Sequence, residues 1–282
     1  MFKKCIVCGS QQAEIVFTEY GINVLRCICG HFYSDSGISQ NNDQYYGDDD
    51  LIAETYHWWD EAHRRMYDDF VARFVSGKSG RLLDVGCGLG YLVKRIGRED
   101  DWQVQGCEIS PVAVKFTHDK LDLNSIQIGK VEDLHYEHNY FDIITLFDVI
   151  EHISDPNMML ECLFGILKPG GFVFMHTPNG PWQLYKAKLK KLIHRGIKPD
   201  GHYMEARDHV NLYTEKSIRR VLENKGFREI SFVHLPPIQS VSGSNSKTLK
   251  NLKNLWWYSA AALSKISFGR INIDNLSVIA KK

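Results

Sequence analysis

Four cysteines crowd into the start of the chain. Cys5 and Cys8 are separated by two residues, Cys27 and Cys29 by one, and His31 follows closely. Thiolates in two short clusters suit tetrahedral zinc, which would hold together a segment too small to fold around its own core. Cys5, Cys8, Cys27 and Cys29 are the expected ligands, with His31 the alternative for the fourth position. A second constellation is LLDVGCGLGYL from Leu82, where an apolar run ends in Asp84 and passes into Gly86, Gly88 and Gly90 with Cys87 between the first two. Glycines let the backbone turn tightly and let a ligand lie against it, while the helix that follows offers free amides. The spacing differs from the dinucleotide pattern, in which two residues separate the last pair of glycines, and suits a ligand without a pyrophosphate. Glu108, 24 residues after Asp84, ends the next apolar run, where its carboxylate could accept from both hydroxyls of a ribose. Two histidines, His152 in DVIEH and His209 in RDHVNLY, carry the side chain best suited to taking a proton from a hydroxyl.

These residues require elements that bring them to one edge. From Arg81 onward, short apolar runs alternate with helical segments, the pattern of a parallel sheet covered by helices. The runs are RLLDV, QVQGCEI, SIQI, FDIITLF and GFVFMHT, followed later by REISFVH and the terminal NLSVIAKK. Ser110 before Pro111, Asp155 before Pro156, and Thr214 are expected helix caps, and Gly226 a helix stop. The expected organisation is a small module over residues 1–40, N-terminal helices over 41–80, and an α/β domain over 81–282 with a basic insertion at about 180–208. Cys87 is read as a small residue of the glycine turn. A long helix is expected from about Ser246 to Ser267.

Thirty-four basic residues balance thirty-four acidic ones, so no global field draws the chain to nucleic acid. The start of the chain lacks an apolar signal core, WWYSAAAL is too short to cross a bilayer, and the odd count of seven cysteines argues against a disulfide framework. A cytoplasmic location is expected. Lys186 to Lys198 holds six lysines and arginines and no acid, with Leu189, Leu192 and Ile193 interspersed. Such a segment suits a lid, an acidic substrate or a peripheral contact with anionic lipid.

The ordered set LLDVGCGLG, GCEIS, VEDL, FDIITLFDVIEHISDP, LKPGG and TPN resembles the class I S-adenosylmethionine-dependent methyltransferases over about half of the chain. The resemblance implies a Rossmann-like seven-stranded sheet with helices on both faces, carrying a zinc-ribbon-like N-terminal module. It places S-adenosylmethionine with Asp84 and the turn of Gly86, Cys87, Gly88 and Gly90 at its amino-acid end and Glu108 at the ribose. Ile109, Asp133 and the Leu134 amide would meet the adenine, and Phe147 the methionine portion. DVIEH is similar to a stretch of ubiquinone-pathway O-methyltransferases, which raises a divalent metal at Asp148, Glu151 and His152, ranked below a metal-free site with His152 and His209 lining the acceptor. The N-terminal segment resembles zinc-binding regions of sugar and natural-product methyltransferases, where a tyrosine pair comparable to Tyr45 and Tyr46 follows. Here the second cysteine pair is one residue closer. The expected acceptor is a small molecule: a sugar, a phenol, or a glycan or lipid-linked intermediate. A ribosomal RNA methyltransferase and a non-catalytic S-adenosylmethionine-binding protein are the alternatives. Against the RNA enzyme stand the charge balance and the FDVI sequence, which replaces the proline-proline-aromatic motif of amino-methylating enzymes.

Overall fold

The computed structural model describes residues 3–36, 49–198, 201–238, 247–267, 273 and 275–282. Tyr45, Tyr46 and the boundary expected near residue 40 lie outside them. Seven strands form one sheet. They are β4 (Gly80–Val85), β5 (Trp102–Glu108), β6 (Ile126–Ile128), β7 (Phe141–Phe147), β8 (Leu167–Thr177), β10 (Arg228–Val233) and β11 (Leu276–Lys281). Their order is β10-β11-β8-β7-β4-β5-β6, with β11 antiparallel to both neighbours and the pairs among β4 to β8 parallel. All seven apolar runs of the sequence are therefore strands of this sheet.

Residue alternation along the central strands sends side chains to opposite faces. Leu83, Ile144, Val173 and Met175 pack with α4 (Asn157–Ile166) and α6 (Glu215–Asn224). Leu82, Ile143 and Phe174 pack with α1 (Asp49–Phe74), α2 (Tyr91–Ile96) and α3 (Pro111–Leu121). Helices thus cover both faces. Their starts follow local chemistry: the Ser110 hydroxyl accepts from the Ala113 amide, and Thr214 and Ser217 form a reciprocal capping box. At Asp155–Pro156 the helix begins at Asn157, whose amide donates to Asp155 at 3.1 Å.

The N-terminal segment makes a second, four-stranded sheet from β1 (Ala13–Glu19), β2 (Ile22–Cys27), β3 (Phe32–Ser34) and β9 (Asn211–Leu212). Its fourth strand comes from the distant part of the chain between α5 (Gly180–Ile193) and α6. Phe32 pairs with Leu212 and Tyr33 with Asn211. Leu25, Cys27 and Tyr33 join the same buried cluster as Ile150 and Tyr213. The remaining helices are α5 and α7 (Lys247–Ile266), and among the described residues no helix is long and apolar enough to cross a membrane.

Candidate active site

The glycine turn leaves β4 at its carboxyl end, beside β7. Thr145, on the neighbouring strand, donates its hydroxyl to Asp84 at 2.6 Å. Burial, and next to it the Glu108 carboxylate, push the Asp84 carboxyl up to about 7 despite that bond. Glu108 accepts two backbone hydrogen bonds, from Gly88 and Ser110, each at 2.9 Å. Burial raises its pKa while these amides oppose the rise. The Glu108 carboxylate therefore ties the turn to the end of β5.

Gly86 stands at φ 66°, and a Cβ built there would lie 2.6 Å from Val149 Cγ2. Only glycine permits this approach. It brings the turn into contact with the loop after β7 that carries Asp148, Glu151 and His152. Cys87 gives its amide to the Cys107 carbonyl and sets its thiol against Gly106, where burial raises its pKa strongly. Ile109 is half-buried, Asp133 is exposed on a short turn (Val131–Asp133), and the half-buried Leu134 packs its side chain over Gly129. Phe147 meets Tyr67 and Phe70 edge-on and stacks on His176.

Beyond Val149, three side chains converge: one ligand atom each from Glu151, His152 and His209 lies within 4.8 Å of the others. Glu151 is wholly buried, with one oxygen accepting from Thr177 at 2.9 Å and the other, Oε1, without a protein partner. Nδ1 of His152 is 3.1 Å from the Asp208 carbonyl, so it carries the proton and Nε2 keeps a lone pair. Nε2 of His209 is 3.4 Å from Glu205, and its buried Nδ1 has no partner. Burial, with His152 next to it, pushes the His209 pKa down to about 3, so its ring is neutral. Asp148, grouped with Glu151 and His152 on sequence grounds, lies apart from this cluster. Its carboxylate is held at 2.8 Å by His176 Nδ1 on β8, and His209 takes the third place.

The four N-terminal cysteines also converge, with Cys5 and Cys29 sulfurs 3.7 Å apart, Cys8 and Cys27 3.4 Å apart, and all four within 4.8 Å. His31 turns away. It is completely buried, with Nε2 3.1 Å from Asn211 Oδ1 and Nδ1 3.3 Å from Ser217. Asn211 in turn donates to the Ile153 carbonyl at 2.7 Å. A single amide thereby links the cysteine module to both the His152 loop and the strand two residues after His209.

Sequence reasoning missed Asn211, Thr177, His176 and Glu205. Thr177 and His176 stand in the HTPN stretch at the end of an apolar run, a position where side chains reach the ligand edge of such a sheet. Asn211 carries no comparable signal, because its partners Ile153 and His31 are more than fifty residues away in the chain, and Glu205, four residues before His209, stands in no motif that would single it out.

A glycine turn tied to a strand-end glutamate thus stands at the carboxyl ends of β4 and β5, and the "Methyltransferase domain" family profile matches residues 58–231. The chain belongs to that family and has the fold of class I S-adenosylmethionine-dependent methyltransferases. It is similar to the ubiquinone biosynthesis O-methyltransferase of Xanthomonas campestris pv. campestris (strain B100), 33% identical over 144 residues covering 46% of this chain and 60% of that protein. The corresponding protein of Neisseria meningitidis serogroup C is 28% identical over 136 residues, covering 43% and 57%. The chain thus spans 60% or less of the length of these two curated relatives. Haemonchus contortus phosphoethanolamine N-methyltransferase 2, solved with S-adenosyl-L-methionine, shares the fold at TM-score 0.56 and 21% identity, over 87% of this chain and 60% of that one. A Haloferax volcanii methyltransferase complex with the Trm112 activator gives 0.54 and 16%, over 87% and 99%.

Proposed function

We propose that this protein transfers a methyl group from S-adenosylmethionine to an oxygen of a small molecule, a sugar, phenol or lipid-linked intermediate. Asp84 and the turn of Gly86, Cys87, Gly88 and Gly90 hold the amino-acid end, Cys87 through its place in the turn. Glu108 takes the ribose, Ile109, Asp133 and the Leu134 amide the adenine, and Phe147 the methionine portion. Bound S-adenosylmethionine supplies a methyl group already activated by its sulfonium, so the chain has to align the acceptor and handle one proton. The observation that carries this reading is the contact of Gly86 with Val149, which sets the cofactor turn against the loop bearing His152. His152, its Nδ1 proton engaged by a carbonyl, presents Nε2 as a base for the acceptor hydroxyl. His209 lines the same space as a neutral ring.

A second reading of this space is supported by its two orphaned buried atoms, Glu151 Oε1 and His209 Nδ1. One carboxylate and two imidazoles, each ring oriented by an acceptor on its other nitrogen, are a donor set for a divalent cation. A cation there lowers the pKa of a bound hydroxyl and orients it. In the N-terminal module, Cys5, Cys8, Cys27 and Cys29 fit a structural zinc, and His31 is committed elsewhere.

The test is transfer of labelled methyl from S-adenosylmethionine, with and without chelator, to a panel of catechols, sugars and a lipid extract. Label in an acceptor with wild type and none with Glu108→Ala supports the proposal. Activity lost in chelator and restored by magnesium selects the cation reading, and indifference to chelator selects His152 as base. Label entering RNA alone, or tight cofactor binding with no transfer to any fraction, sinks the proposal in favour of an RNA enzyme or a cofactor-binding protein.

A further inference from the structure

The chain's charge is balanced overall but segregated locally. The stretch from Lys186 to Lys198 carries six basic residues and no acid, and the stretch from Pro236 to Ile273 carries five and no acid. The first contains the end of α5, the second all of α7. Together they hold eleven of the thirty-four lysines and arginines.

Both helices also leave apolar side chains in solvent. On α5, Tyr185, Leu189, Leu192 and Ile193 fall four, three and one residues apart, a single helical stripe, and are 45 to 75% exposed. The opposite side of the helix is satisfied: Ala187 is buried in the cluster with Phe17 and Tyr203. On α7, Leu255 (63%), Tyr258 (59%) and Ile266 (77%) are likewise exposed, and Trp256 is 43% exposed. The helices meet through Trp182 and Trp256, whose rings stack 5.1 Å apart and 5° from parallel, and Tyr185 stacks on Trp182. One apolar surface rimmed with aromatic rings therefore spans both helices. Exposed Lys186 and Lys188 lie to either side of the α5 stripe, exposed Arg195 and Lys198 follow the end of α5, and exposed Lys265 stands on α7, while Lys191 turns to the Phe17 ring on the opposite side.

Scattered exposed leucines need no explanation, but an aligned stripe on one helix joined by stacked rings to further exposed apolar side chains on a second does. A protein partner or a second copy would have to complement the basic rim with acid. An anionic bilayer meets both features at once, because its head groups pair with lysine while apolar and aromatic side chains enter the acyl boundary. The surface also has a fixed relation to the candidate site. α5 begins just after Thr177, which donates to Glu151, and Gly180 is locked by its amide to the Tyr213 carbonyl at 2.8 Å.

We propose that the joined apolar faces of α5 and α7, with their basic rim, form a docking surface for an anionic lipid bilayer. Combined with the methyl-transfer reading, on which this extension rests, docking there favours an acceptor that carries a hydrocarbon tail and is delivered from the bilayer.

The test is flotation of the full chain with phosphatidylcholine vesicles, with and without phosphatidylglycerol, alongside Leu192→Glu/Ile193→Glu and Trp256→Ser. The expected result is flotation with the anionic vesicles only, weakened by salt and reduced at least tenfold in the variants. Thermal melting and S-adenosylmethionine binding, measured on the same samples, report whether the variants are folded. Equal recovery with and without the anionic lipid, or flotation unchanged by the substitutions, overturns the proposal. So does a wild-type dimer in light scattering that becomes monomeric in the variants, because a second copy then covers the surface. Flotation without methyl transfer to any acceptor would leave the docking surface standing and remove the enzymatic reading, so the two fail separately.

Discussion

Asn211 joins the cysteine module to the loop bearing His152 through one side chain, and Asn211→Ala is the perturbation that tests this link. The side chain is 2% exposed and makes two hydrogen bonds, accepting from His31 Nε2 at 3.1 Å and donating to the Ile153 carbonyl at 2.7 Å. Removing it leaves the His31 nitrogen unsatisfied in a wholly buried position, and an orphaned buried polar group costs about 1–3 kcal/mol. The Ile153 carbonyl belongs to a half-buried residue and can recover water, so it adds less, and the total is roughly 2–4 kcal/mol. That is a large share of a typical net stability of about 5–15 kcal/mol. Equilibrium urea unfolding of the full chain measures it, with His31→Ala and the double variant completing a cycle. The double variant should cost less than the sum of the singles by about 1 kcal/mol or more, because removing the ring removes the orphan. Methyl transfer should fall with Asn211→Ala while S-adenosylmethionine binding holds, since the glycine turn proposed to hold the cofactor is tied by Glu108 and not by Asn211. A cost below about 0.5 kcal/mol, or strict additivity, would refute the coupling.

Glu108→Gln should weaken S-adenosylmethionine binding roughly 10- to 100-fold, the worth of one hydrogen bond to a charged group, as measured by calorimetric titration. Its stability should change by under about 1 kcal/mol, because burial already disfavours the carboxylate and offsets the lost amide bonds. Cofactor affinity should rise with pH and level off above the Asp84 pKa of about 7. Below that value the buried carboxyl is protonated and cannot pair with the cofactor's ammonium group, and Asp84→Asn should flatten the profile. Cys8→Ser should lower the zinc released per chain on thiol modification, and limited proteolysis should then cut within the first two strands, whose sheet depends on that cluster.

Local signals were legible from the sequence wherever one residue or one repeat decides the outcome. Apolar period and length marked all seven strands of the large sheet, Ser110 and Thr214 capped their helices, and the glycines marked the turn. At Asp155–Pro156 the helix starts two residues after the aspartate, because Asp155 reaches forward to the Asn157 amide across the proline. The convergence of Cys29, not His31, with the other three sulfurs could not be read from spacing, since one and three intervening residues both allow a turn to a metal. What decided it was the demand for a buried partner made by Asn211 and Ser217, which claim the imidazole.

The sequence by itself determined the class of fold, the glycine turn after β4 and the glutamate at the end of β5, because each is encoded by contiguous residues whose backbone and side-chain preferences act locally. Tertiary structure alone decided which histidines face which carboxylate. His209 reaches Glu151 and His152 because β9 is drawn into the N-terminal sheet, and Asp148 is withdrawn because His176 rises beside it on β8. Those distances depend on which elements pack against one another over separations of 28 to 58 residues, and no local preference specifies them.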